Sequence, residues 1–397
     1  MSDRMNVSNG RWLIDNARIV CADRTIGCGW LQIRDGIIER IGDRSTGDEP
    51  QAPSHEIVDA RGGTVLPGFI DVHVHGGAGH DFMDADADGL LDITRFHATH
   101  GTTGILATSL TASRDELTAV LERISAFIDG GMTYAQVLGI HFEGPFISEK
   151  WKGAQNPAYI LPPQPEWLEA WVARFPGIIK MQTLAPEAEG ALDYIALLSR
   201  HGIVPSCGHT DATYDQIVQA ADHGLRHAVH TYNAMRSYHH REPGTVGAVL
   251  TDKRIMAEVI ADGHHVHPAG IKLLTAAKGD EGVILVTDAM AAAGMPDGDY
   301  ELGGLPVEMK CGVARLKASG NLAGSTLTMI DAFRFMVREI GVSLESASRM
   351  ASLNPARQLG LDGDRGDIAP GKRADLLLLD ESLALQRVWI GGNALGK

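Results

Sequence analysis

Apolar residues form short runs divided by turns at both ends of the chain, and they alternate with amphipathic segments in between. Near the N-terminus, runs of strand-forming residues occupy 12–20, 30–33, 37–38 and 57–58, and Asp35-Gly36 is a typical hairpin turn between two of them. Residues 374–380 and 387–390 repeat the pattern at the other end. Each set alone has too few strands to be stable, so we expect one small β-sandwich built from residues 1–63 and 366–397.

The central part of the chain alternates between buried strands and helices. The apolar runs predict eight strands, at 64–75, 102–108, 136–143, 178–184, 203–209, 227–230, 255–262 and 283–288. Between most of these strands lie segments whose apolar residues recur at helical spacing, as at 114–128, 190–200, 213–222 and 268–278. Further helices are predicted near 328–340 and 344–351. Residues 64–365 therefore favour a (β/α)8 TIM-like barrel in an α/β protein, although an open doubly wound sheet gives the same local signals.

Composition narrows the class of protein. The chain has 397 residues, 44% of them hydrophobic and 21% charged, as in ordinary globular proteins. A formal charge of −15 argues against a nucleic-acid or anionic-membrane binder, which needs a broad positive surface. Residues 1–12 are polar, no later run is long enough to span a bilayer, and four scattered cysteines do not form a disulfide framework. We therefore expect a cytoplasmic protein.

Metal-compatible side chains occur at the carboxyl ends of the predicted strands. His73 and His75 end the first strand two residues apart, so both imidazoles project to the same side. Glu143, His209, His230 and Asp288 end four other strands. In a barrel these ends surround one mouth, so the six groups are expected to converge there.

A converging set of buried carboxylates and imidazoles is costly unless a cation balances it. For the pair His73 and His75 alone, a hydrogen-bonded core position is an equally good interpretation, but all six together favour a metal site. Nitrogen and oxygen ligands without a thiolate suit a divalent ion, with Zn²⁺, Fe²⁺, Mn²⁺ and Co²⁺ all compatible.

Several longer motifs carry a family resemblance over residues 60–375. They include 67–75 (PGFIDVHVH), 141–146 (HFEGPF), 230–235 (HTYNAM), 241–244 (REPG), 261–265 (ADGHH) and 322–329 (LAGSTLTM). With these motifs the chain resembles the amidohydrolase superfamily, most closely its N-acetylglucosamine-6-phosphate deacetylase family. The resemblance implies a barrel with an appended β-sandwich, a homodimer, and a small amino-sugar phosphate as substrate.

The resemblance also implies roles for individual residues. Glu143, His209 and His230 match the metal site, His73 and His75 match an additional pair in members that hold two ions, and Asp288 matches the catalytic acid and base beside the metal. Arg241 and His265 match a phosphate clamp that a neighbouring subunit helps to build. Sugar-contacting positions are matched by Ala154, Asn233 and Ala234, by Asp262, Gly263, His264 and His265, and by Leu322, Ala323 and Gly324. Gln155 departs from the family pattern, because a histidine often stands there beside the substrate carbonyl.

The expected activity is metal-dependent removal of the acetyl group of N-acetyl-D-glucosamine 6-phosphate. Two alternatives remain open from the sequence. One is another amide hydrolase of the superfamily, acting on a cyclic amide or an N-acyl amino acid, neither of which carries the phosphate that Arg241 and His265 would bind. The other is a sugar-phosphate sensor without catalytic activity, against which the intact Asp288 and metal-ligand set argue.

Overall fold

The computed structural model describes residues 11–50 and 56–396. Residues 1–10, 51–55 and 397, which the sequence assigns to the terminal β-sandwich, lie outside the described residues. Within the described part, a sheet from both chain ends stands beside a parallel barrel. The sheet has its own apolar cluster, which includes Trp12, Leu31 and Trp389.

The terminal strands are hydrogen-bonded into one mixed sheet. Its strands are Trp12–Val20, Thr25–Arg34, Ile37–Asp43, Glu56–Asp59, Thr64–Pro67, Leu376–Leu379, Leu385–Ile390 and Asn393–Ala394. Thr64–Pro67 joins the two ends, because it pairs in parallel with Trp12–Val20 and antiparallel with Leu376–Leu379. The predicted hairpin turn is present, with φ of 51° at Asp35 and 83° at Gly36. These left-handed values are those of a hairpin turn that matches strand twist.

The barrel predicted from the central pattern is confirmed. Its strands among the described residues are, in order, Phe69–Val74, Thr102–Ser109, Gln136–Glu143, Ile179–Leu184, Val204–Cys207, His227–Ala228, Met256–Ile260 and Val283–Val286. Each pairs in parallel with its neighbour in sequence. The eighth strand returns to the first, since Asp288 N–H donates to the His73 carbonyl at 2.9 Å and Val74 bridges to Ala289. Sequential order and near closure exclude the open doubly wound sheet.

Several of the predicted strands are divided or shorter in the structure, and two of these differences bear on the site. Residues 64–75 form two strands rather than one, and the chain passes from the terminal sheet to the barrel at Gly68. A Cβ there would lie 2.3 Å from the Thr103 hydroxyl oxygen, so only glycine permits this close passage. The sixth barrel strand ends at Ala228 rather than at His230, because the backbone of His230 turns into the left-handed region with φ of 27°.

Helices cover the outside of the barrel. They are Ala87–Thr99, Arg114–Asp129, Pro165–Arg174, Ala191–Arg200, Tyr214–Asp222, Gly244–Thr251, Pro268–Lys278, Met329–Phe335, Leu344–Ser348 and Asn354–Gln358, with π-helical turns at Met336–Ile340 and Arg349–Leu353. Capping boxes start two of them, with Ser113 and Thr213 as N-caps. No helix in the described ranges combines the length and apolarity needed to cross a bilayer.

A small antiparallel sheet, which the sequence analysis did not predict, follows the eighth barrel strand. Its strands are Gly298–Leu302, Leu305–Lys310 and Val313–Leu316. One face is buried, with Leu302, Val307 and Met309 packed in a cluster with Leu110 and Met290. This sheet forms part of the wall of the cavity at the barrel mouth.

Candidate metal centre and substrate pocket

The structure brings all six predicted metal-compatible residues together at one end of the barrel. Glu143 is the centre of the group: its Oε1 lies 3.2 Å from His73 Nε2, 3.1 Å from His209 Nε2 and 3.0 Å from His230 Nε2. Its Oε2 lies 3.4 Å from His75 Nε2, which in turn is 3.1 Å from Asp288 Oδ1. All six residues are buried. Two overlapping groups therefore have a geometry that can hold a metal ion, namely His73, Glu143 and His230, and His73, His75 and Asp288.

Three of these residues are placed by an unusual backbone conformation. His209, His230 and Asp288 each follow the end of a strand, and their φ angles are 47°, 27° and 52°. Non-glycine residues rarely adopt this left-handed region, and doing so costs of order 1 kcal/mol or more per residue. The turn at each strand end directs the side chain back across the barrel mouth, so local strain is part of how the site is assembled.

The hydrogen bonds of the imidazoles show which nitrogen of each faces the centre. The Nδ1 of His209 lies 2.9 Å from the Trp151 carbonyl, and the Nδ1 of His230 lies 3.1 Å from the Asn233 carbonyl. A carbonyl only accepts, so each Nδ1 carries the hydrogen and each neutral ring presents the lone pair of Nε2. These two Nε2 atoms are 3.1 Å apart. Lone pairs that converge on each other and on the Glu143 carboxylate require a cation among them, so the residues fit a divalent metal ion.

His73 presents its Nε2 in the same way. Its Nδ1 donates to Glu258 Oε2 at 2.9 Å, and its Nε2 is buried without a hydrogen-bond partner. An unpartnered buried nitrogen directed at a carboxylate is explained by a ligand that binds both. Three imidazoles and one carboxylate oxygen thus point at the same place.

The electrostatics of the second group also favour positive charge. Burial lowers the pKa of His75, but hydrogen bonds and charges from Asp288 and Glu143 raise it to about 9. Burial likewise raises the pKa of Asp288, and the His73 and His75 rings outweigh that effect and hold it below its ordinary value. The carboxylates therefore attract either a proton or a metal ion to the same nitrogen atoms, and lower pH favours the proton.

Gln155 lies at the edge of this centre, and both polar atoms of its amide already have hydrogen-bond partners in the protein. Its Oε1 accepts the Thr111 backbone N–H at 2.7 Å, which fixes the orientation of the amide, and its Nε2 donates to Glu143 Oε2 at 2.5 Å. The side chain is almost fully buried. In this arrangement Gln155 holds the central carboxylate in place.

A cavity of ≈ 490 Å³ opens in front of the metal-compatible group. This volume is within the range of small-molecule sites. Of the predicted site residues, His75, Glu143, Ala154, Gln155, His209, His230, Asn233, Ala234, His265, Asp288, Leu322 and Gly324 line it, and His73 lies fully buried behind them. The position of His265 is fixed by Asp262, whose Oδ2 lies 2.6 Å from its Nδ1.

Other predicted residues lie outside the wall of that cavity. Asp262 and His264 line an adjacent cavity of ≈ 300 Å³, which also borders His265 and Gly324. Ala323 is buried in the apolar cluster beneath the three-stranded sheet. Gly263 has a φ of 75°, and a Cβ on it would lie 3.2 Å from the Phe335 ring. Arg241 is exposed on a surface loop, where its guanidinium donates to the His240 ring at 2.7 Å.

Some residues of the site were not identified from the sequence. Lys150 and Arg315 are cationic side chains of the cavity wall, although Lys150 also pairs with Asp211 at 2.9 Å, and Glu258 contacts two of the predicted ligands. Glu258 could have been identified, because it is a lone carboxylate inside the apolar run of the seventh barrel strand, Met256–Ile260. Arg315 gave no such signal, since it is an ordinary exposed position of a short polar hairpin.

Comparisons with known proteins agree with this geometry. The model of the amidohydrolase family matches residues 64–395. The chain is 45% identical to an N-acetylgalactosamine-6-phosphate deacetylase of Escherichia coli O157:H7, over 92% of this chain and 95% of the relative. It is 39% identical to an N-acetylglucosamine-6-phosphate deacetylase of Bacillus subtilis, over 92% of each.

Solved structures show the same fold. An N-acetyl-D-glucosamine-6-phosphate deacetylase from Mycobacterium smegmatis, in a mutant form complexed with N-acetyl-D-glucosamine 6-phosphate, superimposes with a TM-score of 0.90 at 37% identity, covering 97% of this chain and 99% of that one. Both the length and the identity of these matches exceed what fold similarity alone produces. The chain therefore belongs to the amidohydrolase family and, within it, to the N-acetylhexosamine-6-phosphate deacetylases.

Proposed function

We propose that the protein hydrolyses the amide of N-acetyl-D-glucosamine 6-phosphate to give D-glucosamine 6-phosphate and acetate. The observation that carries the proposal is the convergence of three Nε2 lone pairs on Glu143 Oε1, with Asp288 beside them at the floor of an open cavity. The family supports the substrate class, because relatives at 39% and 37% identity are named for this sugar phosphate.

Glu143, His73, His209 and His230 would hold a divalent ion, and His75 and Asp288 would complete a second position that shares Glu143. When bound, such an ion lowers the pKa of a coordinated water and so supplies the nucleophile near neutral pH. We propose Zn²⁺, for which imidazole nitrogen and carboxylate oxygen are ordinary ligands. Because the rings of His73, His209 and His230 are each held through Nδ1, this part of the site is formed before the substrate binds.

Asp288 is the group that moves protons in this proposal. It borders the cavity, and its Oδ1 lies within 3.1 Å of His75 Nε2. The carboxylate accepts a proton as water attacks the acetyl carbon, and returns it to the nitrogen of the sugar as the carbon–nitrogen bond breaks. The amine must leave protonated, since its anion is a very poor leaving group.

The substrate would be oriented by the rest of the cavity wall. Asn233, Ala234 and Ala154 lie beside the metal-compatible group, and His265 lies on the wall as a partner for the phosphate. Gln155, already bonded to Glu143, would position that carboxylate instead of polarising the acetyl carbonyl. Lys150 and Arg315 are the cationic side chains that this chain itself contributes to the described wall of the cavity.

Arg241 would reach a phosphate only from a second subunit, because its own chain places it outside the cavity. We therefore propose a homodimer in which the loop of one protomer supplies Arg241 to the site of its partner. Such an arrangement would place a positively charged guanidinium against the negatively charged phosphate. Four free thiols, two of them exposed, fit the reducing conditions of the cytoplasm, where we propose that the protein acts.

The test is acetate release from N-acetyl-D-glucosamine 6-phosphate by the purified protein, with divalent metal measured in the same sample. Unphosphorylated N-acetyl-D-glucosamine is the matched control, because it offers the same amide without the phosphate. Efficient turnover of the phosphorylated sugar alone would support the proposal. Equal turnover of both sugars would reject the phosphate assignment, and turnover of neither would reject the activity.

A second candidate substrate is N-acetyl-D-galactosamine 6-phosphate. The specific reason is the 45% identity to a deacetylase named for that sugar, higher than the 39% to the Bacillus subtilis enzyme. The two substrates differ only in the configuration of the hydroxyl at carbon 4. The ratio of kcat/KM for the two epimers decides between them.

A further inference from the structure

Glu258 is a fully buried carboxylate that touches the site but does not face its cavity. It lies in the middle of the seventh barrel strand, Met256–Ile260, and points into the barrel. Its Oε2 accepts from His73 Nδ1 at 2.9 Å and from the backbone N–H of His230 at 3.0 Å. Its Oε1 accepts from His227 Nε2 at 2.7 Å. One carboxylate therefore contacts a ring of one proposed ligand and the backbone of another.

The hydrogens of this group can be assigned without ambiguity if Glu258 is ionised. A carboxylate only accepts, so His73 carries its hydrogen on Nδ1 and His227 carries its hydrogen on Nε2. Three N–H groups, two from rings and one from the backbone, then donate to one negative charge. The remaining nitrogen of His227, Nδ1, is buried without a partner, which is tolerable for a lone pair and costly for an N–H.

The consequence for His73 is specific. Its ring cannot rotate or exchange tautomers without breaking the bond to Glu258, so its Nε2 lone pair stays directed at Glu143 Oε1, 3.2 Å away. The bond from the His230 backbone fixes the position where the chain adopts its left-handed turn, with φ of 27°. The two contacts act on the first and sixth strands of the barrel from the seventh.

We propose that Glu258 is a positioning residue of the metal centre: one buried carboxylate that sets the tautomer of His73 and the backbone of His230, so that both rings direct Nε2 at the same ion. A carboxylate behind a ligating imidazole also makes the ring a stronger donor to the metal. The inference rests on the metal centre of the proposed function and is independent of which sugar phosphate is the substrate.

Two variants separate charge from hydrogen bonding. In Glu258→Gln the amide oxygen can still accept from His73 and His230. The amide N–H₂ then faces His227 Nε2, and that contact is kept only if the His227 hydrogen moves to Nδ1, where it is buried without a partner. This variant loses the charge and keeps the contacts to His73 and His230. In Glu258→Ala both are lost. Changes to such carboxylates behind metal-binding histidines typically cost about 10- to 100-fold in metal affinity, so we expect roughly tenfold for Gln and a larger loss for Ala.

The measurement is Zn²⁺ affinity of the metal-free protein in zinc buffers at fixed pH, with thermal unfolding of the metal-free protein recorded alongside. Asp375→Asn is the control, because Asp375 is a buried carboxylate of the terminal domain that bonds to Arg373 and to the Gly391 backbone. It should leave Zn²⁺ affinity unchanged. If Glu258→Ala does not fold, Glu258→Gln gives the result.

A double variant tests whether Glu258 acts through His73. When His73 is already alanine, Glu258→Gln should weaken Zn²⁺ binding much less than it does in the native protein. Unchanged affinity in Glu258→Gln, or an equal loss with and without His73, would overturn the proposal. Failure of the native protein to bind any divalent ion would reject the metal centre itself, which is a distinguishable result.

Discussion

At the scale of single residues, the chemistry of the site depends on which nitrogen of each imidazole carries the hydrogen. His209 and His230 are fixed by backbone carbonyls, and His73 is fixed by a carboxylate. In every case Nδ1 is the donor and Nε2 faces Glu143. These outer contacts prepare the lone pairs before any ligand arrives, which reduces the cost of organising the site when a metal or substrate binds.

Asp288→Asn should lower turnover of the phosphorylated sugar by about 10²-fold or more, because proton transfer by a positioned group typically contributes that much. The amide has nearly the same shape as the carboxyl group, so the fold should be unaffected. Acetate release and metal content, measured on the same preparation, check the prediction. Near-native turnover with full metal content would remove Asp288 from the proton-transfer role.

His209→Ala should lose metal and activity together, because His209 Nε2 lies 3.1 Å from both Glu143 Oε1 and His230 Nε2. His75→Ala should be milder, since its Nε2 is 3.4 Å from the other oxygen of Glu143. Metal per subunit and kcat, determined for both variants, test this ranking. The reverse order would mean that the group around His75 and Asp288 holds the essential ion.

Sequence reasoning identified the metal-compatible residues because each lies at or just beyond the end of an apolar strand, a pattern that is local in the chain. Glu258 was missed as a partner of His73 because the two residues are 185 positions apart and meet only when the barrel closes. The contact of Gln155 with Glu143 could not be predicted either, since the orientation of the Gln155 amide depends on the backbone N–H of Thr111. Contacts of this kind depend on tertiary structure and have no signature in spacing.

At the scale of elements, the site is assembled from strand ends and enclosed by segments between the strands. The barrel strands were predictable, because they are continuously apolar and buried on both faces. The sheet of residues 298–316 was not, because its strands are short, alternate between buried and exposed positions, and carry charges on the exposed face. Yet this sheet supplies Leu302 and Arg315 to the cavity wall.

Arg241 and Arg315 are alternative sources of the phosphate contact, one expected from a partner subunit and one from the chain's own small sheet. A charge-assisted hydrogen bond contributes about 1.5–3 kcal/mol, so removing the true partner should reduce kcat/KM for the phosphorylated sugar by roughly 10- to 100-fold. We expect Arg241→Ala to show this loss and Arg315→Ala a smaller one. Steady-state kinetics with both sugars provide the measurement.

Neither variant should alter the slow reaction of unphosphorylated N-acetyl-D-glucosamine, which has nothing for an arginine to bind. A large loss in Arg315→Ala alone would place the phosphate against the chain's own sheet. A loss for both sugars in Arg241→Ala would mean that Arg241 supports the fold or the dimer. Arg241 would then no longer count as the arginine that binds the phosphate.

At the scale of the whole molecule, the proposed metal centre joins parts of the barrel that are distant in sequence. His73, Glu143, His209, His230 and Asp288 come from the ends of the first, third, fifth, sixth and eighth strands. The first and eighth of these strands are joined by few hydrogen bonds, among them the one from Asp288 N–H to the His73 carbonyl. A metal that binds both sides of this junction would therefore stabilise closure of the barrel.

Removal of the metal by a chelator should consequently lower the thermal midpoint of the barrel. A ligand that binds only the folded state stabilises it by RT ln(1 + [L]/Kd), or about 2.7 kcal/mol at a hundred times Kd. Calorimetry of the native, chelated and zinc-restored protein measures the effect. The loss should be reversed by added Zn²⁺ and should be smaller in His209→Ala, which binds the metal poorly. A chelated protein with an unchanged midpoint, although its metal has demonstrably left, would show that the barrel closes without help from the ion, and the centre would then serve the reaction alone.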